Sequence, residues 1–149
     1  MSSTLLDLPR VETRDVDYVE RARRLAPMLK EAADEIEARR ELPERVVEAL
    51  IEGGFFKLLI PRSLGGAELH PLTYVQVLEQ IAKAEPSTAW CLGQNSGCSM
   101  SAPYLDPAVA REVFGPPRGI LAWGPELPGA GRSVAVEGSA LAISSSTCT

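Results

Sequence analysis

The chain has 149 residues, 45% of them apolar and 23% charged, which gives room for one domain with a true core. Its net charge of −5 argues against nucleic acid as a partner, because nucleic-acid binders carry a basic face. No run of about 18 apolar residues occurs and the N-terminus lacks the regions of a signal peptide, so the expectation is a protein without a membrane partner. Three cysteines, Cys91, Cys98 and Cys148, form neither a disulfide framework nor a zinc pattern, and a cytoplasmic location with no metal fits them.

Residues 1–16 read as a loose arm with little to bury. From Asp17, a plausible N-cap, the apolar positions Val19, Ala22, Leu25, Leu29, Ala32 and Ile36 recur at three and four and predict an amphipathic helix. Pro27 falls inside it, where a lost backbone bond predicts a kink or a late start. In "LPERVVEALIEGG", Pro43 suits the first helical position, Val46, Val47, Leu50 and Ile51 make an apolar face, and Gly53 or Gly54 suits the left-handed cap. "FFKLLIP" then reads as a buried extended segment. The loop "RSLGGAEL" follows, with adjacent glycines that permit positive φ or close backbone approach.

A third helix is predicted from about Pro71 to Ala84, with Leu72, Val75, Leu78 and Ile81 or Ala82 inward. A fourth starts near Ser87 and is rich in small residues through "TAWCLGQNSGCSM". "DPAVAREVFG" has Asp106 as N-cap, Pro107 at the first position and Gly115 beyond the end of a short fifth helix. After Pro116, "RGILAW", "RSVAVEG" and "ALAIS" read as short strands. Too few to bury a sheet alone, they predict the start of an incomplete β domain over 117–149, after a helical domain over 17–116. The fold class is therefore mainly α.

Classical catalytic chemistry is missing. The one histidine, His70, reads as a surface residue at a helix start rather than a base, and carboxylates fall on outward helix faces where they pair with bases. No phosphate-binding glycine motif is present.

The stretch from Gly53 to Trp90 carries a resemblance. Gly54, Phe55, Leu58, Ile60, Pro61, Gly65 and Gly66, followed by Glu79, Ile81, Ala82, Lys83, Ser87 and Ala89, resemble the N-terminal helical domain of the acyl-CoA dehydrogenase superfamily. Glu85 stands where that family has aspartate. The dehydrogenases continue with a T-E-P-x-x-G-S-D segment. Here "GILAWGPELPGAGRSVAVEG", with "STAW" before it, is similar instead to the flavin-dependent monooxygenases, such as 4-hydroxyphenylacetate-type hydroxylases.

That resemblance implies an oxidoreductase whose reduced FAD or FMN, supplied by a separate reductase, meets oxygen and oxygenates an aromatic or related small molecule. It implies a homotetramer as well. An acyl-CoA dehydrogenase is the alternative within the family, and a non-catalytic helical interaction module the alternative outside it. Because the flavin does the hard chemistry, the protein's part is to position it and exclude water, and few titratable groups are needed. Trp90, Gln94, Asn95 and Ser96 on the fourth helix are the candidate pocket wall, with Trp123 at the junction to the β part. For Trp90, a core anchor is the competing reading. The family pattern is lost at Ser139, which implies a truncated chain that binds no cofactor tightly and has no turnover alone.

Overall fold

The computed structural model describes residues 13–121, with side chains from residue 17. Five α-helices run in order, α1 (Thr13–Arg39), α2 (Glu44–Glu52), α3 (Pro71–Ala84), α4 (Pro86–Ser99) and α5 (Pro107–Phe114). No strand occurs among the described residues, where only Glu41 and Leu121 are isolated bridge positions. Residues 118–121 of "RGILAW" are described and form no strand beyond the bridge position at Leu121, while its last two residues and the runs "RSVAVEG" and "ALAIS" lie outside the described residues.

Helix α1 starts at Thr13, inside the segment expected to be a loose arm, so Asp17 is a helical residue rather than an N-cap. Its carboxylate forms an ion pair with Arg21 one turn on. The helix also passes through Pro27 without a late start. Pro27 is on the exposed side, where water can take the carbonyl that loses its partner. The opposite stripe, Val19, Ala22, Leu29, Ala32 and Ile36, is buried against α3. The end of α1 was not legible beforehand: Arg40 takes the left-handed conformation (φ 55°) that closes the helix.

Pro43 precedes α2 as its N-cap and is not the first helical residue. Gly53 stays right-handed, while Gly54 (φ 75°) takes the left-handed turn. The chain that follows is buried as expected, through Phe55, Phe56, Leu58 and Ile60, but it opens as a 3-10 turn over Phe55–Lys57 instead of an extended run. It then folds back on itself. Ala67, Leu69 and Glu68 donate their N–H groups to the carbonyls of Lys57, Leu58 and Ile60 at 2.9, 2.9 and 3.0 Å. Those bonds satisfy the buried backbone without a regular strand. A β-carbon on Gly66 would lie 1.9 Å from the Ile60 carbonyl oxygen, so only glycine permits this return.

Helices α3 and α4 are joined by Glu85 alone and lie antiparallel, with Leu78 beside Gly93 across the pair. Glu85 is 6% exposed and caps α4, accepting hydrogen bonds from Ser87 N (3.1 Å), Ser87 Oγ (2.6 Å) and Thr88 N (2.5 Å). Burial pushes its carboxyl pKa up, but the bonds from Ser87 and Thr88 outweigh burial and hold it below the ordinary value. Asp106 caps α5 as its sequence predicts, accepting from Ala108 N at 2.8 Å. Lys57 closes the other end of α5, donating to the carbonyls of Phe114 (3.1 Å) and Gly115 (3.0 Å).

Candidate functional site

The α3–α4 hairpin has two apolar faces. Thr73, Val77 and Ile81 of α3, with Thr88, Leu92 and Asn95 of α4, are buried. Of the positions expected inward (Leu72, Val75, Leu78 and Ile81 or Ala82), Ile81 is buried, Leu78 is half-buried, and Leu72, Val75 and Ala82 are exposed instead. Both stripes satisfy a 3.6-residue period, and the buried one is disguised by Thr73, so periodicity alone selects the wrong side.

The outward face forms an open groove of about 490 Å³ between the two helices. It is lined by the small residues Ala82, Ala89 and Gly93 together with Val75, Leu78, Pro86 and Trp90. The Trp90 side chain is 68% exposed, so it anchors no core in this chain. Gln94 supplies an uncharged polar group at the rim, and Glu79 the one acid of the lining. Lys83 donates to Glu79 at 2.8 Å, and that bond holds the Glu79 carboxyl below its ordinary pKa.

Of the five sequence candidates, the groove brings Trp90 and Gln94 together. Asn95 and Ser96 turn to the buried side of α4, at 2% and 1% exposure. Trp123 lies outside the described residues. Asn95 Nδ2 donates to the Leu121 carbonyl at 3.2 Å, while Asn95 Oδ1 and Ser96 Oγ have no protein partner, nor do the Thr73 and Thr88 hydroxyls. Buried polar atoms of this kind ordinarily find partners.

A second hollow, of about 350 Å³, lies among Tyr18, Arg21, Arg62 and the Gly66–Leu69 return of the loop. Arg21 is paired with Asp17 and stacks over the Tyr18 ring at 4.7 Å from its centre. Tyr18 and Arg21 lie three residues apart, which places them on one face of α1.

The described residues hold no metal-type cluster. His70 caps α3, its Nδ1 accepting from Leu72 N at 3.3 Å, which is a structural duty. Burial, then the nearby Glu85 charge, pushes the Cys91 thiol up to about 11, so it stays protonated and unreactive at neutral pH. No described helix is long and apolar enough to cross a membrane. The described domain has a main core, a smaller buried cluster and an open apolar groove on its outer face.

The family follows from comparison. The chain belongs to the acyl-CoA dehydrogenase N-terminal domain family, whose model matches residues 17–106. It is 41% identical over 66 residues to the oxygenase subunit HsaA of a flavin-dependent monooxygenase from Rhodococcus jostii (strain RHA1), covering 44% of this chain and 17% of that protein. The crystal structure of the HsaA monooxygenase from M. tuberculosis superposes with a TM-score of 0.63 at 27% identity, over 68% of this chain and 28% of the other. XiaF from Streptomyces sp., in complex with FADH2 and glycerol, gives 0.64 at 29% identity, over 68% and 26%. The chain thus spans between 17% and 28% of the lengths of these relatives.

Proposed function

We propose that this chain supplies the helical wall of a flavin-dependent monooxygenase site, in which the α3–α4 groove faces a small aromatic substrate or the flavin ring. The observation that carries the reading is the open apolar groove itself, which is lined by an exposed indole and several small residues. Flat rings stack on indoles and approach closely where β-carbons are few. The residues present therefore fit one side of a planar group. Trp90 would hold its face, Ala82, Ala89 and Gly93 would let it approach, and Gln94 would orient one polar edge. The relatives' flavin dependence, and the FADH2 of XiaF, support reduced FAD as the cofactor.

The flavin, when bound, supplies the oxygen-activating chemistry. The residues of this chain contribute shape, dryness and orientation. The one acid of the groove lining, Glu79, is paired with Lys83 at the surface. We further propose that residues 117–149 begin the β part and that the working assembly is a cytoplasmic tetramer served by a separate reductase. The 149-residue chain by itself holds flavin weakly or not at all, because an open groove covers far less than the roughly 70–90% of ligand surface that tight pockets bury.

Turnover of the full-length protein tests the reading. With reduced flavin and oxygen it should hydroxylate phenolic substrates and leave acyl-CoA thioesters untouched. Oxidation of a thioester without oxygen incorporation would overturn it in favour of a dehydrogenase. Tight flavin binding by the 149-residue chain would show that more of the cofactor site lies in this chain than proposed.

A further inference from the structure

We infer that Asn95 is a positioning residue whose carboxamide fixes the backbone leaving the helical domain at Leu121. Asparagine is a poor choice inside a helix, because its side chain competes for backbone hydrogen bonds, and burying an amide is costly unless it is paired. Yet Asn95 sits in the interior of α4 at 2% exposure. The bond that answers this cost runs from its Nδ2 to the Leu121 carbonyl, 26 residues further along the chain. Its Oδ1 has no protein partner, nor has the neighbouring Ser96 hydroxyl, so the amide is not part of a saturated polar core network.

The exit is also held by other means. Arg118 pairs with Glu44 and Glu48 of α2, Ile120 is buried in the main core, and Leu121 packs on the smaller cluster of Ile60, Ala102, Ala110 and Phe114. Ion pairs and apolar packing tolerate rotation of the chain, whereas the backbone bridge at Leu121 and the Asn95 hydrogen bond to its carbonyl constrain its direction. Asn95 lies five residues after Trp90, about 140° round the same helix. One helix therefore carries the groove wall on one side and the anchor of the departing chain on the other. The anchoring stands by itself; its use, holding the departing chain in register with the groove, rests on the function proposed above.

Amide hydrogen exchange on the whole chain tests the anchoring without flavin or substrate, so its outcome is independent of that function. Asn95→Leu, close in volume, should cost residues 119–121 about five-fold or more of their protection while amides of α1 and α3 keep theirs. Asn95→Asp separates hydrogen bonding from packing. At acid pH the introduced carboxyl is protonated and can donate to the Leu121 carbonyl; ionised, it has no proton to give and repels that oxygen. Protection at 119–121 should be near the wild-type level at low pH and fall as pH rises, whereas the leucine variant should show no such recovery. The charged groups at the exit, Arg118 with Glu44 and Glu48, are already paired and present in every variant. Wild-type protection in the leucine variant, a flat pH response in the aspartate variant, or equal loss throughout α1 and α3 would each overturn the inference.

Discussion

The inner and outer faces of the α3–α4 hairpin are both apolar, yet only one is finished. Val77, Ile81 and Leu92 inside are fully buried, whereas Val75 and Trp90 outside are 59% and 68% exposed. The same residue types on the same two helices therefore hold the fold together on one side and leave it open on the other. The difference teaches that an apolar stripe states only that something must cover it. In the inner case the cover is α1 over α3 and the Phe55–Lys57 turn over α4.

The largest expected contrast lies between those faces. Leu92→Ala empties a site with no exposure and should cost about 2–5 kcal/mol, whereas Trp90→Ala should change stability by under about 0.5 kcal/mol. Paired thermal melts measure both, and a similar loss in the two variants would dissolve the distinction. Gly66→Ala should cost upwards of about 2 kcal/mol, since its β-carbon meets the Ile60 carbonyl and that strand of the loop must move. Denaturant unfolding reads that loss.

The hairpin's joint is weaker and pH-dependent. Glu85→Gln should cost about 1 kcal/mol near neutral pH, the scale of a helix cap. Because the folded carboxyl titrates below its ordinary range, its contribution is complete above that range and fades as pH falls through the lowered value. The wild-type advantage over the glutamine variant should therefore vanish in acid, which melts across pH would record. The smallest effect has the opposite sign. Arg40→Gly should stabilise by about 0.5–1 kcal/mol by relieving a left-handed non-glycine residue.

How much was legible follows the same division. Helices α3 and α5 were readable because local signals mark them: Pro71 at a first position, Asp106 and Pro107 together, Gly115 after the end. The glycine pair was legible as a need for unusual backbone, although both offered reasons apply, positive φ at Gly65 and close approach at Gly66. The 3-10 turn at Phe55 was not, because a short continuous apolar run fits a buried strand equally well. Nor was the orientation of α3, because apolar residues at helical spacing occur on both of its faces. For the site, the small-residue character of α4 pointed to the right helix. It could not separate Trp90 and Gln94 from Asn95 and Ser96, which helical geometry places on different sides.

The most direct measurement is the turnover of the full-length protein carrying Trp90→Ala, made alongside its melting temperature. If the outer face is a functional wall, hydroxylation of a phenolic substrate should fall at least about ten-fold, the scale of one lost ring contact of roughly 1.4 kcal/mol, with the melt unmoved. Unchanged turnover, or a loss of activity matched by a collapse in stability, would contradict the account.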